Sequence, residues 1–407
     1  MLNPKDIISY IEKDKTEKTD DSLKAVIDIA AEFFMWDFVS ALKDKAKKEN
    51  KRKAHQAAKN ALKKRDLPID VTVSACIIGR DRAAGLERCL ESIKDKVDEI
   101  IYIDTGSKDN SAEIAKRYGA IVDYFQWCDD FSAARNYSIR FASKKWVLIV
   151  DTDEEIEGDI KAAIRESYKA GSDALCFKMY DIRDGKKGGE IATGIRAMRR
   201  KYSEYELPVH NQLINWATKR VADGVVFYHY GYEMSSEERK KRTEQTQRIA
   251  LKYLETHDSA FMSFNVAVTY MMQLNYGEAI EWFKKSVEMK EGLTPDYYRQ
   301  SLVYLVKIYS MLNKMTEMLT AAAELEKTGP SLEMYYDVAA YFYNRHMHAE
   351  ALKYFERYIE VYDSVQVSEM YVTALDKKNI VENVIDYCKG VIEWESTREA
   401  GRQSSKM

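Results

Sequence analysis

The sequence predicts an α/β domain with a largely parallel sheet, placed between two helical regions. Between residues 70 and 151, short β-rich apolar runs alternate with helix-length segments, which is the order that βαβ units produce. From about residue 235 onward, small and aromatic residues recur at the spacing of paired helices. At 407 residues, the chain is also long enough for more than one domain.

We divide the chain into four segments. An N-terminal helical segment covers residues 1–66, the α/β domain covers 67–234, a helical repeat region covers 235–400, and a disordered tail covers 401–407.

Composition excludes several classes of protein. A hydrophobic fraction of 45% is that of a chain with buried cores, and a net charge of −3 argues against a general polyanion binder. The five cysteines form no CxxC pair, which favours free thiols in a reducing cytoplasm. No apolar run approaches the roughly 20 residues that cross a bilayer, and the N-terminus has no apolar signal core. We therefore expect a cytoplasmic protein without a membrane span.

The N-terminal segment reads as helix throughout. An apolar stripe begins at Ile7, Ile8, Tyr10 and Ile11 and continues between residues 25 and 42. Residues 43–65 predict one basic helix, which Leu67-Pro68 ends. This helix is either a solvated linker or a surface for a phosphate backbone or another acidic partner, DNA included.

Four apolar runs predict the parallel strands of the α/β domain: VTVSACII, EIIYID, AIVDYF and WVLIVD. Helices are predicted between them, over residues 86–93, 111–118 and 131–142. Shorter strands over residues 172–232 suggest an antiparallel extension of the sheet. Since ligands of such sheets bind beyond the carboxyl ends of the strands, the residues at those ends are the candidate site.

Asp151-Thr152-Asp153 follows the fourth strand. Two carboxylates one residue apart can reach one divalent cation, which prefers hard oxygen ligands and can neutralise a diphosphate. An acidic turn after a strand is the alternative interpretation.

Two further candidate groups are one residue at a strand end and one on a helix. Asp104 ends the second strand before Gly106, and its carboxylate can accept hydrogen bonds from a base or a ribose, or cap the next helix. Arg135, on the first turn of a helix, can meet a phosphate or a carboxylate.

The C-terminal region predicts tetratricopeptide-type helical hairpins. Residues 264–289 and 335–362 are two copies, and their Ala279 and Ala351 are 72 residues apart, about twice the repeat of roughly 34. Residues 295–325 form a less faithful middle copy, and residues 366–397 a degenerate cap. The aromatic stripe is therefore expected to be core, while the concave face remains available for a peptide or for another subunit in a homodimer.

Four segments in this order, IIGRDRAAGLERCLESI, IIYIDTGSKDNS, DDFSAARN and VLIVDTDEE, resemble the family-2 glycosyltransferases of the GT-A fold, with a Rossmann-like mixed sheet. The downstream segments RAMRR, PVHNQL and YHYGY fit a branch of that family. With the helical repeats, the arrangement is similar to the sublancin-type bacterial enzymes that glycosylate bacteriocin peptides.

The resemblance implies a nucleotide-sugar donor, with a UDP-sugar favoured, and Mn²⁺ or Mg²⁺ as cofactor. It implies that Asp104 binds the nucleoside, that Arg135 holds the nucleotide or orders a loop, and that Asp151, Asp153 and His229 hold the metal. The donor pocket it implies also includes Ile78, Asp81, Arg82, Gly106, Ser107 and Thr152.

Two positions depart from the family pattern. Asp81-Arg82 stands where the family has Asn-Glu, which changes the charge beside the nucleotide. Asn211 stands where the branch has glutamate, and an amide cannot take a proton. His210 is one candidate base and Glu204, Glu206 and Asp223 are others, while His210 can equally serve only to shape the acceptor pocket.

The reaction that the resemblance implies is a single displacement at the anomeric carbon with inversion. A peptide or protein side chain is the favoured acceptor. A glycan and a modified DNA base, the latter bound through residues 43–65, are alternatives. A non-catalytic repeat scaffold with a degenerate transferase domain is the alternative from another class.

Overall fold

A computed structural model describes residues 19–183, 185–231, 236–289, 295–362 and 377–404. The apolar positions predicted at Ile7, Ile8, Tyr10 and Ile11, residues 366–376 of the predicted cap, and residues 405–407 lie outside the described residues. The chain separates into two compact units, Met1–Arg242 and Thr243–Met407.

In the described part of the first unit, three helices come first, Asp20–Glu32, Trp36–Lys48 and Arg52–Arg65. Their buried residues form a separate hydrophobic core, to which the third helix contributes mainly alanines: Ala54, Ala58 and Ala61. Alanine side chains allow helices to approach closely. The single basic helix predicted over residues 43–65 is wrong, because Asn50 adopts a left-handed conformation (φ 54°) and interrupts it.

Aromatic residues join these helices to the α/β domain. Trp36 Nε1 donates a hydrogen bond of 2.6 Å to the carbonyl oxygen of Tyr168. The ring of Phe34 lies edge-on to that of Tyr168, at 4.6 Å between centroids. The hydroxyl of Tyr202 donates to Glu32 at 2.5 Å. Since aromatic side chains bury large areas, this junction makes the three helices an integral part of the first unit.

A nine-stranded mixed sheet forms the centre of the described part of the first unit, in the order β3-β2-β1-β4-β8-β6-β11-β5, with β7 beside β6. Its strands are β1 Val73–Gly79, β2 Glu99–Asp104, β3 Ile121–Tyr124, β4 Trp146–Ile149, β5 Glu154–Gly158, β6 Ala174–Arg183, β7 Lys186–Ala192, β8 Ala197–Arg199 and β11 Lys219–His229. The strands β9 Glu204–Glu206 and β10 Gln212–Ile214 form a separate hairpin. The helices Ala83–Ile93, Ser111–Arg117, Phe131–Phe141 and Ile160–Lys169 complete the domain.

Strand direction brings the predicted ligand-binding ends together. Strands β1, β2 and β4 are parallel neighbours. Strand β8 is antiparallel to both β4 and β6, so β6 runs in the direction of β4, and β11 is parallel to β6. The carboxyl ends of β1, β2, β4, β6 and β11 therefore meet at one edge of the sheet. The mixed GT-A-like sheet is confirmed.

The second unit is helical. Three hairpins pair Ala260–Met272 with Tyr276–Glu288, Pro295–Met311 with Met315–Glu326, and Leu332–Tyr343 with His348–Tyr362, and Lys378–Ser404 follows. Helix Ser236–Leu254 leads into them. Ala279 and Ala351 are fully buried in one shared core, as a repeat with small residues at helix contacts requires. The tetratricopeptide-like repeats are confirmed. In the parts of the chain with a described structure, no helix is both long and apolar enough to span a bilayer.

Gly158 makes a test of the sheet geometry possible. Its φ is 103°, and a Cβ there would collide with the carbonyl oxygen of Gly224 at the irregularity in β11. We expect Gly158→Ala to destabilise the first unit by about 3 kcal/mol, through backbone strain and this collision. Chemical denaturation followed by circular dichroism measures the change. Gly189→Ala is the control, because a Cβ there meets nothing within 4 Å; equal unfolding midpoints for the two variants would contradict the assigned geometry.

Candidate functional site

The loops that follow β1 and β2 are tied to each other at the carboxyl edge. The N–H of Asp81 donates to Ser107 Oγ at 3.0 Å, and the N–H of Lys108 donates to Asp81 Oδ1 at 2.7 Å. The N–H of Arg82 donates to Ser111 Oγ at 2.9 Å. The structure thus brings Asp81, Arg82 and Ser107 together and uses some of their hydrogen-bonding groups to hold the two loops in place, while their part in donor binding stays a prediction.

Asp104 is buried with one carboxylate oxygen left open. Its Oδ1 accepts hydrogen bonds of 2.7 Å from the N–H groups of Gly106 and Ser107, in a turn that the positive φ of Gly106 (107°) permits. Its Oδ2 is buried and has no hydrogen-bond partner within the described ranges. A buried acceptor without a donor is costly, so Oδ2 is suited to receive a donor group from a ligand.

Thr152 and Ile78 give the site its shape. Thr152 is 5% exposed, and its Cγ2 lies 3.0 Å from where a Cβ on Gly79 would be. Glycine at position 79 therefore lets the loop after β4 lie directly against the end of β1. Ile78 is half-buried and packs with the hydrophobic cluster on one face of the sheet, so its part in donor binding stays a prediction.

Asp151 is held by two arginines. Arg135 Nη2 donates to its Oδ1 at 2.7 Å, and Arg196 Nη1 donates to its Oδ2 at 3.0 Å. Burial opposes ionisation of Asp151, but Arg135 and then Arg196 outweigh it and hold the pKa of the carboxyl far below its usual range. Because both oxygens already face guanidinium groups, the role of Asp151 as a metal ligand stays a prediction.

Glu154 is the second carboxylate on Arg196. It is 1% exposed and accepts hydrogen bonds from Arg196 Nη2 at 2.5 Å and from the N–H of Asp151 at 2.8 Å. Burial raises the pKa of Glu154, and the charge of Arg196 acts in the opposite direction. Sequence reasoning did not single out Arg196; the available signal was the basic segment RAMRR, which it noted only as a family element.

Asp153, His229 and Asp181 come together at the ends of three strands. In the sheet register, His229 at the end of β11 pairs with Asp181 on β6 and with Glu154 on β5. Its Nδ1 lies 3.0 Å from Asp181 Oδ1, and its Nε2 lies 3.8 Å from Asp153 Oδ2. A histidine oriented by a carboxylate at one nitrogen and facing a second carboxylate with the other has the form of many metal-binding histidines.

Gly231 keeps the space beside these groups open. A Cβ at this position would lie 2.5 Å from His229 Nε2 and 2.9 Å from Asp153 Oδ2. Any side chain at position 231 would therefore displace both candidate ligands. Within the described residues, no three His, Cys, Asp or Glu side chains are arranged to hold a metal ion by themselves. Asp153 and His229 fit a divalent cation only as two of its ligands, with the rest supplied by other groups.

The loop over residues 207–211 places the candidate acceptor residues. The N–H of Phe131 donates to the carbonyl of Pro208 at 2.8 Å, and Ser132 Oγ donates to that of Leu207 at 2.5 Å. His210 adopts a left-handed conformation (φ 50°), and desolvation lowers the pKa of its ring. Asn211 Nδ2 is buried without a partner in the described part of the chain.

The three alternative bases lie elsewhere. Glu204 and Glu206 are exposed on β9 of the hairpin. Asp223 is six positions before His229 on β11, which at about 3.3 Å per residue is roughly 15 to 20 Å along the strand. Asp223 is therefore too far from the carboxyl edge to act there. Glu206 pairs with Gln212 directly beside the loop, so Glu206 and His210 both stay candidates for the base near Asn211.

With this geometry established, the comparisons with known proteins give the family of the domain. Residues 74–222 match the family model described as Glycosyl transferase family 2. The match includes Asp104, Asp151 and Asp153 and ends before His229. The chain therefore contains a family-2 glycosyltransferase domain, as its motifs predicted.

Two curated relatives extend beyond that domain. A TPR repeat-containing protein of Synechococcus elongatus is 31% identical over 248 residues, 57% of this chain and 60% of that protein. The SPbeta prophage-derived glycosyltransferase SunS of Bacillus subtilis is 25% identical over 273 residues, 64% of each chain. The chain thus spans about three fifths of the length of these relatives.

Among solved structures, S. aureus TarS (residues 1–349) covers 63% of this chain and 90% of its own length, at 13% identity and a TM-score of 0.35. A likeness of this size adds nothing to the assignment made above.

Arg196 provides a test of the ion cluster. We expect Arg196→Met to cost about 3 to 5 kcal/mol of stability, because it removes the cation that Asp151 and Glu154 share in the buried cluster. Adding Glu154→Met should recover much of that loss. Unfolding in urea measures each variant.

The control for this test is Arg165→Met, at an exposed position on helix Ile160–Lys169, expected to change stability by less than about 0.5 kcal/mol. If Arg196→Met unfolds at the same urea concentration as Arg165→Met, the bridge contributes nothing to stability.

Proposed function

We propose that the family-2 glycosyltransferase domain makes this chain an inverting, metal-dependent hexosyltransferase that uses a UDP-sugar and modifies a polypeptide side chain. The observation that carries the proposal is the pairing of Asp153 with His229 at the same edge of the sheet as the open oxygen of Asp104. The three lie where a nucleotide-sugar would bind in a sheet of this kind.

Donor binding is assigned to the inner part of the site. Asp104 Oδ2 would accept a hydrogen bond from the nucleoside, since it is a buried acceptor without a donor. Arg135 and Arg196 would hold Asp151 in position near the ribose and diphosphate. Two nitrogens of Arg135, Nε and Nη1, are buried without partners in the described residues, and they are suited to a phosphate oxygen.

Asp153 and His229 would hold Mn²⁺ or Mg²⁺, and imidazole with carboxylate suits Mn²⁺ well. When bound, the cation neutralises the diphosphate as it leaves. Asp181 fixes the orientation of His229 through Nδ1, which leaves Nε2 directed toward Asp153. Because Gly231 has no side chain, the space that His229 and Asp153 occupy stays free.

On the acceptor side, a nucleophile attacks the anomeric carbon from the face opposite the diphosphate. The new bond forms as the bond to the diphosphate oxygen breaks, and the acceptor gives up its proton. Asn211 cannot receive that proton. Desolvation lowers the pKa of His210, which favours the neutral imidazole that can accept a proton.

A polypeptide is the proposed acceptor because the transferase domain is joined to tetratricopeptide-like repeats, whose stacked hairpins offer an extended binding surface. The cytoplasm is the proposed location, since all five cysteines are free and four of them are buried.

The metal assignment predicts a specific loss. UDP with Mn²⁺ should raise the melting temperature of the wild-type chain. Asp153→Ala and His229→Ala should weaken Mn²⁺ binding about 100-fold, and Asp181→Asn about 10-fold through misorientation of His229. Titration of Mn²⁺ followed by thermal shift and by calorimetry measures this.

Asp223→Ala is the matched control, since it removes an exposed carboxylate from the same strand as His229 but far from the edge. Retention of full Mn²⁺ affinity in Asp153→Ala would remove that residue from the metal site. A wild-type chain that is not stabilised by any nucleoside diphosphate would favour the non-catalytic scaffold instead.

The acceptor assignment predicts transfer to peptide. Radiolabelled UDP-glucose, UDP-GlcNAc and GDP-mannose are offered with Mn²⁺ to peptide and duplex DNA acceptors, and the products are separated by size. We expect transfer from a UDP-sugar to peptide, and slow donor hydrolysis without an acceptor. Transfer to DNA but not to peptide would reject a polypeptide acceptor and direct attention to the basic residues 43–65.

A further inference from the structure

We propose that Arg88, on helix Ala83–Ile93, is a positioning residue of the candidate cation site and acts through the ring of Tyr230. Arg88 is not a ligand of the cation in this proposal. It holds the segment that carries His229 against the turn that carries Asp153. The inference rests on the proposed function, because it adds a residue to the cation site assigned there.

Tyr230 is bonded to the acidic segment at two points. It directly follows His229, the last residue of β11, and its N–H donates a hydrogen bond of 2.8 Å to the carbonyl oxygen of Asp153. Its hydroxyl donates to Glu155 Oε2 at 2.9 Å, two residues further along the same segment. The backbone and the side chain of Tyr230 therefore both help to set the position of His229 relative to Asp153.

Helix Ala83–Ile93 packs along the same acidic segment. Cys89 Sγ donates to the carbonyl oxygen of Asp151 at 3.5 Å, and Ser92 Oγ accepts a hydrogen bond of 3.1 Å from the N–H of Ile156. The helix is thus attached to the segment at two points. A side chain one turn before Ser92 starts from a fixed base on the same part of the helix surface.

That side chain is Arg88, which reaches from the helix to the ring of Tyr230. The central carbon of its guanidinium, Cζ, lies 3.4 Å from the centre of the ring, and Arg88 is half-buried. A guanidinium over an aromatic face is held by cation–π attraction, which is stronger where water is excluded. The Nε of Arg88 is buried without a hydrogen-bond partner in the described ranges. Since a buried N–H without an acceptor costs free energy, stability alone would not select this arrangement.

An aromatic partner leaves the carboxylates of the turn available. Two other arginines of the site, Arg135 and Arg196, form ion pairs with carboxylates of the acidic turn. By contrast, Arg88 is stacked on a ring and, among the residues with a described structure, pairs with no carboxylate of that turn. An ion pair from Arg88 to Asp153 would occupy a candidate ligand, whereas the stacked ring fixes the neighbouring segment and leaves that ligand open.

The stack therefore bears on the geometry of the candidate ligands. His229 Nε2 lies 3.8 Å from Asp153 Oδ2, and His229 is joined to Tyr230 by a peptide bond. A ring released by Arg88 can turn about its side-chain bonds, and such a turn breaks its hydrogen bond to Glu155. Residues that orient metal ligands without touching the metal change its affinity about 10- to 100-fold when they are replaced.

Titration of the full chain with Mn²⁺ in the presence of UDP tests this, with free Mn²⁺ measured by electron paramagnetic resonance. Arg88→Met keeps an unbranched side chain but removes the charge, and it should raise the dissociation constant of Mn²⁺ about tenfold. Arg88→Lys keeps a cation over the ring and should recover part of that loss. Tyr230→Leu removes the ring and should weaken binding by a similar factor. Because the two side chains act as one unit, the double variant should bind no more weakly than either single variant.

Arg165→Met is the matched control, the same replacement at an exposed position on helix Ile160–Lys169, and should bind Mn²⁺ as the wild type does. Thermal unfolding without metal is recorded for each variant, so that lost stability is seen separately from lost affinity. The inference is overturned if Arg88→Met has wild-type affinity, if the losses of Arg88→Met and Tyr230→Leu add in the double variant, or if Arg165→Met causes an equal loss. A wild-type chain that binds no Mn²⁺ with UDP overturns the proposed function as well, whereas normal wild-type binding with an unaffected Arg88→Met overturns this inference alone.

Discussion

The bridge that Arg196 makes between Asp151 and Glu154 is the interaction on which the site depends. Three acidic residues, Asp151, Asp153 and Glu154, occupy four consecutive positions after a fully buried strand, and their mutual repulsion would disfavour this turn. Arg196 bonds to both inner carboxylates, and Arg135 adds a second cation. These two arginines form ion pairs with Asp151 and Glu154. The carboxylate of Asp153 lies outside these pairs and faces His229. The ion cluster thus holds Asp151 and Glu154 within the turn and sets them apart from Asp153.

Much of the candidate site could be predicted from the sequence, because strands and their ends are local features. Apolar runs locate β1, β2 and β4, and parallel pairing then brings Asp104 and Asp151 to one edge whatever lies between them. Arg196 could not be found in this way. Arg196 reaches Asp151 because the short strand β8, which follows it, lies between β4 and β6 and is antiparallel to both. No local sequence pattern predicts that position for β8. The helix break at Asn50 could not be predicted for a different reason. Basic residues continue on both sides of it, so the sequence pattern shows no helix end there.

The metal candidate shows how a long-range arrangement can depend on one small residue. Asp153 and His229 are brought together because β11 crosses between β5 and β6, so that its last residue meets both strand ends. This arrangement leaves no room for a side chain at position 231, where even a methyl group would displace both Asp153 and His229. The glycine that follows Tyr-His-Tyr is visible in the sequence, but the need for it is not. Asp153, whose carboxylate a side chain at position 231 would meet, lies 78 positions earlier. The same holds for Asp181, whose role comes only from its register with His229.

Helix Phe131–Phe141 connects the parts of the site that would otherwise be independent. Its first residues, Phe131 and Ser132, hold the loop that carries His210 and Asn211. One turn later Arg135 holds Asp151, and its neighbour Asn136 clamps the β9–β10 hairpin. A rigid helix cannot move at one of these points and stay in place at the others. The helix therefore fixes the loop over residues 207–211, Asp151 and the β9–β10 hairpin relative to one another, all within its eleven residues.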